Sequence, residues 1–292
     1  MKTVQDDFDS APGSTTSLLR SIIGTSLRRL GGWIAVADLI ELMAAAGVPE
    51  ARTRTALSRV KAKGLLSAEP RHGIPGYRLS PAATPMLERG DDRIYYPRTM
   101  TADGRWCLIS WSVPEEKRDL RHQLRRRLTW IGCGAVSPAL WICPEYLTTE
   151  VEDILADLGL SRNATLFLSD EVRGPRPPRE AVAGWWDLDA VRALHHDFLD
   201  AHEEEVRALG PNPALREAFS VWVRGLDSWR KIPYLDPGLP PELLPADWPG
   251  RRSVPVFHEL RDRILPLAHA YVDEVTGPAP TTDPTKQLEA LG

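Results

Sequence analysis

The 292-residue sequence predicts an α+β protein in three parts: an N-terminal winged helix-turn-helix, a central ferredoxin-like α+β domain and a C-terminal helical domain. Three patterns carry this expectation. Residues 15–80 run helix, short strand, helix, helix, hairpin. Residues 105–170 run β-α-β-α-β. Residues 180–273 hold helical patterns broken by one Pro-rich loop. A Pro-, Asp- and Arg-rich connector is expected over 81–104 and a Pro/Arg-rich linker over 171–180.

Taken in order, residues 1–14 read as a disordered tail. Leu18, Leu19, Ile22, Ile23, Leu27 and Leu30 then form a helical stripe that Gly31-Gly32 stops. "WIAV" (33–36) is β-prone, and "ADLIELMAAAGV" is a second helix ending at Gly47. Pro49 suits a first helical position, and Glu50 suits the positive end of the helix dipole. The third helix runs to about Lys63, where Gly64 ends it. "LLSAEP" and "GYRLS" around "RHGIPG" read as a hairpin. From Arg105, "RWCLISWSVP" is a strand, "EEKRDLRHQLRRRLTWIG" a helix, "CGAVSPALWICP" a second extended segment, "TTEVEDILADLGL" a helix and "NATLFLSD" a strand. Helices are expected at roughly 187–209, 213–231 and 254–273, and the tail from Gly277 reads as unstructured.

Composition excludes several classes. Hydrophobic content of 42% with 26% charged residues is ordinary for a globular chain. No apolar run approaches 18 residues and the N-terminus is polar and acidic, so neither a transmembrane helix nor a secretory signal is expected. Cys107, Cys133 and Cys143 are odd in number and lack C-x-x-C spacing, which suggests neither a disulfide framework nor zinc and fits a cytoplasmic protein. The net charge of −4 is unevenly spread. Residues 14–90 carry 11 Lys/Arg against 5 Asp/Glu (+6), and residues 171–292 carry 14 against 20 (−6). A basic module on an acidic body is the asymmetry of a chain of which one part meets a polyanion.

The third helix is where that polyanion would be read. Thr53, Ala56, Leu57 and Val60 recur at i, i+3, i+4, i+7 and face the core. Thr55, Ser58 and Arg59 then lie opposite, with Arg52, Arg54 and Lys61 at the flanks. Arginine bonds guanine O6/N7 bidentately, and short hydroxyls reach phosphates or bases. The hairpin adds Arg71, His72 and Arg78 toward the DNA backbone or minor groove. A solvated amphipathic helix would show the same arginine row, and the surrounding module favours DNA.

Three stretches together resemble the PaaX-like transcriptional repressors, bacterial regulators of phenylacetate catabolism. They are "GGWIAVADLIELMAAAGVPEARTRTALSRVKAKGLL", "DGRWCLISWSVPEEKRDLRHQLRRRLTWIGCGAVSPALWICP" and "SWRKIPYLDPGLPPELLPADWPG". The resemblance covers roughly residues 15–273. It implies a homodimeric repressor with a winged-helix domain, a Cas2-like middle domain and a helical C-terminal domain. It also implies binding to palindromic double-stranded operator DNA, released by an acyl-CoA inducer such as phenylacetyl-CoA. The DNA-reading role carries over only to "ARTRTALSR".

His195 and His202 share a helix face with Phe198 between them, and His196 and Asp200 have i, i+4 spacing, but two ligands do not close a metal site. A Cas2-like fold raises metal-dependent nuclease chemistry as the alternative function. The helix dipole alone explains Glu115 and Glu116, and no enzyme, metal or cofactor is expected. Arg125, Arg126 and Arg127 suit a solvated or dimer-facing side better than a second DNA contact. Of ten tryptophans, Trp33, Trp106, Trp111, Trp130 and Trp141 read as core. Trp185, Trp186, Trp222, Trp229 and Trp248 gather near Arg224, Arg230, Lys231, Arg251 and Arg252. From these, Trp222, Arg230, Lys231, Trp248 and Arg251 are candidate inducer contacts: rings for an acyl group, cations for phosphates.

Overall fold

The computed structural model describes residues 10–277. The tails expected to be unstructured fall outside the described residues for 1–9 and 278–292. The chain resolves into two compact units. One takes the chain up to Arg89, Glu204–Ser228 and the chain from Val256 onward; the other takes Gly90–Glu203 and Trp229–Pro255. The segment expected as a third domain, 180–273, is thus divided between them.

In the first unit, α1 (Thr15–Ile22) is capped by Ser14, whose hydroxyl accepts from the Ser17 amide at 3.3 Å, and it runs on through a π-helical turn, Ile23–Leu27. β1 (Trp33–Ala35), α2 (Val36–Ala45), α3 (Glu50–Ala62), β2 (Leu66–Ala68) and β3 (Gly76–Leu79) follow. Gly47 and Gly64 end α2 and α3 at φ 82° and 80°, a conformation that suits glycine. The sheet has order β1-β3-β2, both pairs antiparallel, with Trp33 and Ser67 flanking Arg78. Helices from the C-terminal region complete the core: α9 (Leu215–Trp229) up to Ser228, the last turn of α11 (Gly250–Glu259), a π-helical turn at Leu260–Ile264, and α12 (Leu265–Thr276). The buried Asp227 carboxylate ties α9 to α1, accepting from the hydroxyls of Ser17 at 2.6 Å and Ser21 at 3.0 Å and from the Gly13 amide at 2.7 Å. Such a carboxylate is tolerable inside only with its lone pairs satisfied.

The second unit is built on β4 (Trp106–Trp111), α5 (Arg118–Trp130), β5 (Gly134–Ser137), β6 (Leu140–Pro144), α6 (Thr148–Asp157) and β7 (Ala164–Ser169). Strand order β5-β6-β4-β7 with every neighbour antiparallel is the ferredoxin-like arrangement. The stretch read as one extended segment, 133–144, is therefore a hairpin turning at Pro138-Ala139, and the Ser137-Pro138 pair that separates its two apolar runs is the turn signal that was passed over. β4 is apolar on both sides because both are covered. Cys107, Ile109 and Trp111 pack in the core with Leu124 and Leu128 of α5 and Val151 and Leu155 of α6. Trp106 packs with Trp186, Val191, Leu239 and Trp248 on the other side. Cys107, Cys133 and Cys143 are buried free thiols in the first of these cores.

Two further helices lie where the sequence suggested only connections. α4 (Thr84–Tyr95) occupies half of the expected 81–104 connector, and α7 (Pro178–Trp185) begins inside the expected 171–180 linker. Pro85, Gly90 and the paired Asp91-Asp92 mask the first, although proline is harmless in a first helical turn. Pro177-Pro178 masks the second in the same way. α8 (Leu188–Ala208) and α10 (Ile232–Leu235) complete the helices.

Candidate nucleic-acid interface

α3 forms because its apolar positions keep helical spacing and its ends carry stop signals; its core face is narrow. Thr53, Ala56, Leu57 and Val60 are buried, and the Thr53 hydroxyl turns back to the Pro49 carbonyl at 3.3 Å. Arg52, Arg54, Thr55, Ser58, Arg59 and Lys61 are all exposed on the remaining surface. The Thr55 hydroxyl donates to the Ala51 carbonyl at 3.1 Å and that of Ser58 to the Arg54 carbonyl at 3.2 Å. Arg54 pairs with Glu50, one turn earlier, at 2.7 Å. That pair is exposed and worth only a few tenths of a kcal/mol, so it orients the guanidinium without sequestering it.

The hairpin extends beyond β2 and β3. Arg71 and Ile74 exchange both backbone hydrogen bonds, at 3.0 and 2.9 Å, around His72-Gly73. Both turn residues have positive φ, 50° and 79°, the signature of a type I′ turn, whose twist matches the strands it joins. His72 is exposed at the tip beside Ile74, an exposed large apolar side chain. Arg78 is exposed on β3 and Arg71 is half-buried. Both donate to Glu69, at 3.4 and 2.9 Å, and hold its carboxyl below the usual range, Arg71 contributing most. The pairing of Glu50 with Arg54, and Glu69 altogether, were not anticipated from the sequence. The i, i+4 spacing from Glu50 to Arg54 and the i, i+2 spacing from Glu69 to Arg71 were the available signals.

The candidate inducer contacts divide between the units. Trp222 belongs to the first, fully buried, with its indole N–H donating to Thr25 Oγ1 at 3.2 Å and its ring 6.2 Å from that of Phe257. Arg230, Lys231, Trp248 and Arg251 belong to the second. There Trp248 is buried, its ring 5.7 Å from that of His195 in an edge-on contact and 5.8 Å from the Arg192 guanidinium; Arg251 is exposed.

The histidine cluster has a different centre from the one its spacing suggested. His195 is buried, with Nδ1 2.6 Å from Ser253 Oγ and Nε2 2.9 Å from an Asp236 carboxylate oxygen. Trp229 also packs edge-on to it. With Asp236 accepting from Nε2–H, a neutral ring leaves Nδ1 to accept from the serine hydroxyl. Ser253 is fully buried and offers no face to a substrate, so this Ser-His-Asp set fastens α8 to the Pro-rich loop and α11. His202 packs on Phe198 at 5.3 Å. Among the described residues, no group of three or more His, Cys, Asp or Glu side chains gathers as a metal site. In the basic run of α5, Arg125 lies over Trp111 and donates to the Pro138 carbonyl, and Arg127 pairs with Asp157.

Comparison with known proteins matches these parts in order. Residues 14–83 match the family described as PaaX-like protein, 99–182 the PaaX protein central Cas2-like domain, and 186–274 the PaaX-like protein C-terminal domain. The chain is 29% identical over 285 residues to Transcriptional repressor PaaX of Escherichia coli (strain K12), covering 93% of this chain and 87% of that protein. Its fold is similar to the solved structure of uncharacterized protein Rv0674 from Mycobacterium tuberculosis. The TM-score is 0.56 at 25% identity, with 90% of this chain and 98% of that chain covered. With three successive domains matched in order, the chain belongs to the PaaX-like family.

Proposed function

We propose that the chain is a sequence-specific, DNA-binding transcriptional repressor in which residues 15–80 act as a winged helix-turn-helix. The observation that carries this reading is α3. One face is locked into the core by Thr53, Ala56, Leu57 and Val60, and the whole opposite face presents Arg52, Arg54, Thr55, Ser58, Arg59 and Lys61 to solvent. That is the side-chain chemistry of major-groove readout, with Arg71, His72 and Arg78 on the hairpin reaching phosphates. Similarity to a protein named as a transcriptional repressor supports the same reading.

The repressor acts as a homodimer on a two-fold operator. The exposed edge of β7 supports a second copy as the partner. It lies at the end of the sheet, its sequence "ATLFLS" is uncharged, and Phe167 and Leu168 are large apolar side chains left exposed. An antiparallel strand edge is self-complementary, and natural edges without charge, proline or bulge are normally covered. The regulated genes are those of phenylacetate or a related catabolism, and an acyl-CoA inducer releases the DNA. Arg230, Lys231, Trp248 and Arg251, all in the second unit, are the candidates for its contacts, Arg251 exposed and Arg230 and Trp248 buried; Trp222 lies in the first unit, fully buried. No helix among the described residues is long and apolar enough to cross a membrane.

The test is fluorescence anisotropy on the DNA upstream of the chain's own gene. Arg54→Ala with Arg59→Ala is expected to abolish discrimination against random duplex, since each bidentate base contact is worth about 1–3 kcal/mol. Retained discrimination by the folded double variant sinks the assignment of α3.

A further inference from the structure

The outer face of the β1-β3-β2 sheet carries a closed set of four side chains: Trp33, Glu69, Arg71 and Arg78. The backbone of Glu69 is fixed at both ends, its amide donating to the Gly76 carbonyl at 3.0 Å and its carbonyl accepting from the Trp33 indole N–H at 2.7 Å. Its carboxylate accepts from Arg71 Nε at 2.9 Å and from Arg78 at 3.4 Å. The Arg71 guanidinium lies over the Trp33 ring, 5.3 Å from its centroid. The hairpin's two arginines therefore converge on one carboxylate, carried by a residue whose backbone is hydrogen-bonded on both sides.

Resting on the DNA reading above, we propose that Glu69 is a positioning residue that occupies the place of a DNA phosphate, aiming Arg71 and Arg78 and screening their charge. A carboxylate and a phosphate offer a guanidinium the same oxygen geometry. Any phosphate that reaches these arginines must share them with Glu69 and sit near its negative charge. Non-specific binding, which is almost wholly electrostatic, is weakened by that repulsion. A specific complex suffers less, because its hairpin must fit one register and gains from arginines already oriented. Glu69 thus widens the gap between operator and random DNA without touching a base.

The experiment compares full-length wild type, Glu69→Gln, Glu69→Ala and Glu69→Asp on the upstream DNA fragment and on a random duplex of equal length, from about 50 to about 200 mM salt. Glu69→Gln and Glu69→Ala are expected to bind random duplex about three- to tenfold more tightly. Their log K against log[salt] slopes should steepen by about one to two, the yield of one or two newly available phosphate contacts. Operator affinity rises less, so the specificity ratio narrows. Glu69→Asp keeps wild-type behaviour, and adding Arg71→Ala with Arg78→Ala to Glu69→Gln removes the gain. Unchanged or weaker random-duplex binding, with unchanged slope, in either folded neutral variant overturns the proposal. If the Arg54/Arg59 double variant still loses discrimination in that case, only the role of Glu69 falls; if wild type binds no duplex at all, the DNA reading falls with it.

Discussion

Gly76 has no side chain because the Trp33 indole occupies the space where a Cβ would stand. Gly76→Ala is therefore expected to displace the indole that supports Glu69 and Arg71 and to destabilise the protein by about 1–3 kcal/mol, read as a lower thermal midpoint. His195 shows how a residue can be legible while its role is not. Its place on one helix face with Phe198 and His202 followed from seven-residue spacing, but Asp236 and Ser253 lie 41 and 58 residues away and only the fold brings them to its ring. Asp236→Ala leaves a buried imidazole nitrogen unsatisfied, at a cost of about 1–3 kcal/mol. Loss of stability without any hydrolytic phenotype is the expected outcome, checked by thermal unfolding alongside an esterase assay. A variant as stable as wild type contradicts a fastening role. Glu69 was hidden for a related reason: its pairing with Arg78 depends on a strand register that local sequence does not specify.

α3 was the most legible element because helical periodicity alone divides its buried and exposed faces, and the burial of Thr53, Ala56, Leu57 and Val60 follows that division. α4 was not, since its proline reads as a break although it falls in the first turn, where it is harmless, and Gly90 in its middle is a poor helix former. Two elements carry predictions. Burial lowers the pKa of His269 on α12, with the nearby Arg29 adding to it, and burial then Arg261 lowers that of His258 at the end of α11. Below about pH 6.5 the unfolded chain binds protons that these folded histidines resist, so stability falls as pH drops through that range and is full above it. The thermal midpoint is expected to decline from about pH 7.5 to about pH 5.5, more steeply in wild type than in His258→Gln with His269→Gln; equal slopes contradict the assignment. On β7, Phe167→Lys with Leu168→Lys places two charges on the exposed edge and is expected to give a folded monomer by sedimentation. A dimer that persists at the same concentration puts the partner surface elsewhere.

Across the whole molecule, the chain order of parts was legible and their packing was not. Three domain models of one family match the chain in succession, whereas the helices between 180 and 273 distribute between two compact units. Periodicity reports which face of a helix is buried but not against what, so no local signal told that Trp222 packs with Phe257 and bonds Thr25 in the first unit while Trp229 and Trp248 surround His195 in the second. Two copies of α3 are expected to read a major groove. Methylation protection of guanine N7 on the operator tests it directly, because that atom lies on the major-groove edge. Wild type should protect guanines in two clusters about one helical turn, or a whole multiple of it, apart, and Arg54→Ala with Arg59→Ala should remove that protection. Tight, sequence-specific binding that leaves every guanine N7 open to methylation would contradict it.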